Sequence, residues 1–187
     1  MKIAFIGLGN VGGKLAGSLL RNGFDLTLRD LDRTRAAPLL ERGARWGESP
    51  KAMAEACDLI VTCLPSPAVS AAVLEAEDGV LAGLAPGKVW PGKIWAEMST
   101  TDEAEVKRLG ALVAARGAQP LDCPVSGGCH RAATGNISIF AGGERAAFEG
   151  ALPALKAMGR RILHCGPLGS AFKASRNLFD LVTADEA

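Results

Sequence analysis

Lys2-Ile3-Ala4-Phe5-Ile6-Gly7-Leu8-Gly9-Asn10-Val11-Gly12 opens the chain, and Leu15, Leu19 and Leu20 follow at helical spacing. The apolar run reads as a short buried strand, the glycines as a tight turn and the spaced leucines as a helix. A G-x-G-x-x-G between a strand and a helix is an arrangement for holding phosphates. Gly7 permits the tight turn, Gly9 lets the backbone approach a pyrophosphate, and Gly12 lets the helix lie close to the strand. Phosphates would then sit at the helix N-terminus, where free N–H groups and the helix dipole favour an anion. Leu8, Asn10 and Val11 complete the loop as candidate cofactor contacts. An ordinary strand-to-helix turn is the alternative that the pattern alone leaves open.

Outward from the loop, Asn22-Gly23 stops the helix and residues 24–28 read as a second strand ending at Arg29-Asp30. Asp30 follows Gly12 by 18 residues, close to the ~20 expected of a carboxylate that accepts from adenosine ribose hydroxyls. Its charge disfavours a 2′-phosphate and so favours NAD over NADP, while Arg29, Arg33 and Arg35 nearby could receive that phosphate. A solvated loop acid is the plainer reading of Asp30. Farther on, the spacing predicts helices over 33–42, 50–56, 102–115 and 144–158, another through Val69 and Val73, and strands over 44–46, 59–64, 94–97, 119–122, 137–141 and 162–164. This alternation predicts a doubly wound, mostly parallel α/β sheet of the Rossmann type with helices on both faces. A turn-rich stretch over 84–93, in which Pro-Gly-Lys occurs twice, reads as a local insertion. Residues 168–187 read as a final helix.

Composition narrows the function. The 187 residues are 48% hydrophobic and 22% charged, which excludes disorder as the main state. With 21 Lys and Arg against 20 Asp and Glu there is no net field to gather nucleic acid or anionic lipid. The expected partners are therefore neither nucleic acid nor membrane. Five cysteines without C-x-x-C spacing predict reduced thiols and a cytoplasmic location. His130 and His164 lack the spacing of a metal pair and are expected to be structural or exposed. The 23 glycines exceed the usual share of about 7% and call for turns or close backbone approach.

The chain resembles the β-hydroxyacid dehydrogenases, the family of 3-hydroxyisobutyrate dehydrogenase and tartronate semialdehyde reductase. The stretch from Phe5 to Gly12 is similar to that family's N-terminal signature, with Val11 and Leu15 in place of the usual methionines and Ser18 in place of Asn or Gln. Cys63-Leu64-Pro65 resembles its loop along the cofactor, and Glu97-Met98-Ser99-Thr100 its Asp-x-Ser-Thr segment. Asp122-Cys123-Pro124-Val125-Ser126-Gly127-Gly128 resembles its substrate block, with Gly135 and Gly142-Gly143 downstream. Gly166-Pro167-Leu168-Gly169 before Lys173 and Asn177 resembles the turn into its catalytic helix, although the turn is shorter and Arg176 stands where a first asparagine is usual.

The resemblance implies hydride transfer between NAD, or NADP, and a small 3-hydroxy acid or its semialdehyde. Lys173 and Asn177 are then catalytic, Leu64, Pro65 and Thr100 contact the cofactor, and Ser99, Ser126, Gly127 and Gly128 hold the substrate carboxylate. It further implies homo-oligomers and an additional all-helical domain, so residues 1–165 are expected to be the nucleotide-binding domain and 166–187 the start of an interdomain helix. Taken alone, the two glycines after Ser126 expose N–H groups suited to a carboxylate, and equally make a plain connection. Ser99-Thr100 could cap a helix. Lys173 and Asn177, four apart, share a helix face, but a lone helical lysine is ordinarily a solvated surface residue. A competing expectation from a different class is a non-catalytic NAD(P)-binding module.

Overall fold

The computed structural model describes residues 1–84, 92–99 and 102–175. Strand β1 (Lys2–Ile6) turns into α1 (Gly12–Arg21), followed by β2 (Asp25–Arg29), a 3-10 turn (Arg33–Ala36), α2 (Ala37–Leu40) and β3 (Arg45–Trp46). Next come α3 (Pro50–Ala56), β4 (Leu59–Thr62), α4 (Pro67–Glu75), α5 (Val80–Gly83), β5 (Ile94–Glu97), α6 (Glu103–Ala115) and β6 (Gln119–Asp122). The last part holds β7 (Val125–Ser126), α7 (Gly128–Ala133), β8 (Ile137–Gly143), α8 (Arg145–Met158) and β9 (Gly159–Gly166), and residues 170–175 are helical.

Sheet order is β3-β2-β1-β4-β5-β6-β8-β7, with β9 also paired to β8. The six strands from β3 to β6 are all parallel. β8 runs antiparallel to β6, and β9 runs parallel to β8. The parallel part thus has the 3-2-1-4-5-6 order of doubly wound nucleotide-binding sheets, whose direction of winding reverses between β1 and β4. Such a reversal parts the loops on either side and leaves a crevice at the strands' C-terminal ends.

β1 shows why the sheet is covered on both faces. Ile3 and Phe5 enter one core with Leu15 and Leu19 of α1 and Ala151 and Leu155 of α8. Ala4 and Ile6 enter the other, with Met53 of α3, Leu74 of α4 and Val106 and Leu109 of α6. A central parallel strand needs apolar side chains on both sides, which is why the run is continuous and not alternating. Trp95 of β5, fully buried, donates its indole N–H to Thr62 Oγ1 at 2.9 Å.

Several elements depart from the sequence expectation, β7 among them, which has no expected counterpart. The helix expected over 33–42 is a 3-10 turn followed by α2, with Pro38 in the first turn of α2, where its missing N–H loses no helix bond. α5 is a single turn, too short for periodicity to show. The strand expected at 162–164 extends over Gly159–Gly166 along β8. Of the insertion expected over 84–93, residues 85–91 lie outside the described residues, as do 176–187 of the final helix.

Candidate functional site

α1 and the loops after β1, β2, β4 and β5 rise from the C-terminal edge of the sheet and enclose a cavity of about 950 Å³. Gly7, Gly9, Asn10, Val11 and Gly12 line it together with Asp30, which follows β2, and with Leu64, Pro65 and Ser99. Leu8 takes part through its backbone: its N–H donates to Asp30 Oδ2 at 2.6 Å, tying the glycine loop to β2.

The three glycines of the motif have different surroundings. A Cβ on Gly7, where φ is 99°, would run into the Cys63 carbonyl, and one on Gly12 into the carbonyl oxygen of Gly7. Those two let α1 start pressed against the strands. At Gly9 a Cβ would meet only Arg35 Nη1, at 3.8 Å, so space lies open above this backbone. α1 has no side-chain N-cap, so no side chain stands between the helix start and a ligand, although Gly13 and Lys14 N–H already bond the Gly9 and Val11 carbonyls. The cradle therefore fits a dinucleotide's pyrophosphate.

Asp30 also accepts from Asp32 N–H at 2.9 Å. A carboxylate offers about four lone-pair positions, so capacity remains for ribose hydroxyls. Of the three arginines considered for a 2′-phosphate, Arg29 and Arg35 line the cavity. Arg29 donates to Gly47 O at 2.9 Å, and Arg35 lies 3.5 Å from Asp32. Arg33 lies over the Trp46 ring at 5.3 Å and is not among the lining residues.

The Leu64-Pro65 loop is held through Ser99. Ser99 is buried, and its hydroxyl accepts Leu64 N–H at 2.7 Å. Its own N–H donates to Glu97 Oε1 at 2.8 Å. Burial pushes the Glu97 carboxyl above the usual carboxylate range, against the opposing pull of the Ser99 hydrogen bonds. Burial pushes the Cys63 thiol up to about 12. Cys63 therefore lines the cavity as an inert thiol and not as a nucleophile.

Not every candidate joins the cavity. Val125 lines it, whereas Ser126, Gly127 and Gly128 lie just beyond, with φ of 128° and 69° at the two glycines. Lys173 is 71% exposed and 3.4 Å from Glu103 Oε1 in the first turn of α6, and it is not a lining residue. Thr100 and Asn177 lie outside the described residues. His130 is exposed, and His164 bonds Gly143 O through Nε2 at 2.8 Å and stacks on Phe148. Met98, Val69 and Val73 also line the cavity, beyond the residues that the motifs pointed to. The two valines, four apart behind the Ser66 cap, carried a usable signal. Asp122, which the resemblance places in a substrate block, has a carboxylate that accepts Gly169 N–H at 2.8 Å and Ala171 N–H at 3.1 Å and so caps the final helix. That contact spans 47 residues and has no local signature.

Residues 2–166 match the model of a known family, the NAD binding domain of 6-phosphogluconate dehydrogenase. The chain belongs to that family. As a member of the 6-phosphogluconate dehydrogenase NAD-binding family it is 35% identical over 168 residues to a probable mitochondrial 3-hydroxyisobutyrate dehydrogenase of Dictyostelium discoideum, covering 90% of this chain and 51% of that protein. It is 36% identical over 169 residues to an NAD-dependent L-serine dehydrogenase of Pseudomonas aeruginosa, covering 90% and 55%. The chain spans about half the length of these curated relatives. Among solved structures, Mycobacterium tuberculosis 3-hydroxyisobutyrate dehydrogenase with L-serine superposes with a TM-score of 0.84 at 29% identity, covering 98% of this chain and 60% of that one. No described helix of this family member is long and apolar enough to cross a membrane.

Proposed function

We propose that this chain serves an oxidoreductase moving a hydride between NAD, with NADP as the lesser alternative, and a small 3-hydroxy acid or its semialdehyde. The observation that carries the proposal is the cavity at the sheet's winding reversal, lined by the open Gly9 backbone and by Asp30. When bound, the nicotinamide supplies the hydride acceptor or donor. Gly9 to Gly12 and the α1 N-terminus hold the pyrophosphate. Asp30 accepts from the adenosine ribose and disfavours a 2′-phosphate. Leu64, Pro65 and Thr100 contact the cofactor, and Ser99 holds the Leu64 loop. The N–H groups around Ser126, Gly127 and Gly128 take the substrate carboxylate.

In this reading Lys173, with Asn177 four residues on in the sequence, takes the proton from the substrate hydroxyl or returns it in reduction. To do so, Lys173 exchanges the Glu103 carboxylate for the substrate oxygen. Residues 1–165 act as the nucleotide-binding domain, and 166–187 begin an interdomain helix. A cytoplasmic location and homo-oligomers belong to the same proposal. The free cysteines support the first, and the kinship to 3-hydroxyisobutyrate dehydrogenases supports the second. Cell fractionation and light scattering test them.

A second reading, a non-catalytic NAD(P)-binding module, is favoured by the exposed position of Lys173 outside the cavity. Turnover of a 3-hydroxy acid panel with NAD and NADP separates the two. The catalytic reading expects turnover that Lys173→Ala abolishes while NAD affinity stays. Tight NAD binding without turnover of any panel member supports the module.

A further inference from the structure

Thr62, Glu97 and Asp122 end β4, β5 and β6, pair in register across adjacent strands and are all fully buried. Register partners in a parallel sheet leave from the same face. This face is that of Ile60 and Trp95, two residues back, covered by α3, α4 and α6. The proposed reaction uses none of the three directly. A buried carboxyl without a task in chemistry or a full set of partners is costly, and Glu97 is such a group.

Its contacts lead to the cavity. Glu97 Oε1 accepts Ser99 N–H at 2.8 Å, and Ser99 Oγ accepts Leu64 N–H at 2.7 Å. Two side chains thus join a buried acid to the backbone of the loop that walls the nucleotide cavity. Glu97 Oε2 has no hydrogen-bond partner, and neither has Ser70 Oγ close by.

Asp122 next to it is better furnished for charge, because Gly169 and Ala171 donate N–H groups to its two oxygens. Two neighbouring buried anions repel, so one of the pair keeps a proton. The donors sit on Asp122, which leaves the proton to Glu97. The other ionisable groups around Glu97 are Cys63 after β4 and Cys123 after β6, and ionisation of either would add negative charge. A proton on Oε2 gives the Ser70 or Thr62 hydroxyl a donor and satisfies the unpartnered atom.

We infer that Glu97, as a neutral acid, is a positioning residue for the cofactor: through Ser99 it fixes the Leu64-Pro65 loop against the nucleotide. This rests on the nucleotide reading of the cavity and adds to it a residue that touches no ligand. The test is the NAD dissociation constant, by calorimetry, of the wild type, Glu97→Gln and Glu97→Leu, with folding checked by circular dichroism. Gln keeps an acceptor for Ser99 and supplies a neutral donor, so its constant stays near the wild-type value. Leu fills the space without polar atoms, and its constant rises about tenfold while the protein remains folded. Should the Leu variant not fold, Ser99→Ala breaks the same path, and its constant is expected to rise about fivefold or more. A Glu97→Leu variant, or in its place a Ser99→Ala variant, that binds NAD like the wild type overturns the inference. So does a Gln variant that binds as weakly as Leu. A wild type that fails to bind NAD removes the nucleotide reading itself, whereas a binding wild type indifferent to Glu97 removes only this inference.

Discussion

A methyl group added at Gly12 points into the backbone carbonyl of Gly7, whereas one at Gly9 approaches only the end of a flexible arginine. The same substitution should therefore have two different effects. Gly12→Ala forces α1 away from the strands, costing about 1–3 kcal/mol and lowering the thermal midpoint by about 2–4 °C per kcal/mol. Gly9→Ala should leave the midpoint near the wild-type value and weaken NAD binding about tenfold, because the methyl occupies the space that the pyrophosphate needs. Thermal melts paired with NAD titrations check both. Asp30→Ala removes the acceptor of Leu8 N–H together with the proposed ribose contact. It is expected to weaken NAD binding by at least about tenfold and to narrow any preference for NAD over NADP, measured by parallel titrations. The glycines and Asp30 were legible in the sequence because a phosphate cradle needs fixed residue types at fixed spacing. The Ser99 to Leu64 bond was not, since the two residues are 35 apart and meet only when β4 and β5 pair.

At the scale of the element, the helical segment over 170–175 depends on a residue of another strand. Asp122 accepts from Gly169 and Ala171, two of the donors that a helix start leaves unpaired. Gly142 must be glycine beside it, because a Cβ there would collide with the Asp122 carboxylate. Asp122→Ala should free the segment, at a cost of about 1–2 kcal/mol on the pattern of lost N-caps. Hydrogen exchange at Gly169 and Ala171 should accelerate while exchange in β1 and β4 stays slow, and uniform acceleration throughout would show a general loss of structure instead. Asp122 was legible as part of a conspicuous block, but the block suggested a substrate contact. Its carboxylate serves a helix start 47 residues on. Periodicity likewise found the long helices α1, α6 and α8 and the parallel core of the sheet. It could not show that β8 runs antiparallel to β6, because an apolar run carries no mark of its direction.

At the scale of the whole molecule, two carboxyls are buried among the described residues, Glu97 and Asp122, both held above their ordinary values of 4.5 and 3.8 chiefly by burial. A folded state that binds protons more tightly than the unfolded chain is stabilised at low pH. The contribution is full below those ordinary values and is lost as pH rises through the raised ones. Glu97→Gln removes the carboxyl with the unpartnered oxygen, so its thermal midpoint should vary less than that of the wild type from about pH 4.5 upward. Melts across that range in matched ionic strength check the slope. A variant whose midpoint tracks the wild type at every pH would place the titration elsewhere. All of these effects meet at one edge of the sheet, where the glycine loop, Asp30 and the Leu64-Pro65 segment surround a single cavity. The decisive measurement is a calorimetric titration of the chain with NAD. One saturable site per chain, weakened by both Gly9→Ala and Asp30→Ala in proteins that stay folded, is the result expected. No binding at millimolar NAD, or binding that neither substitution changes, would contradict a nucleotide site in this cavity.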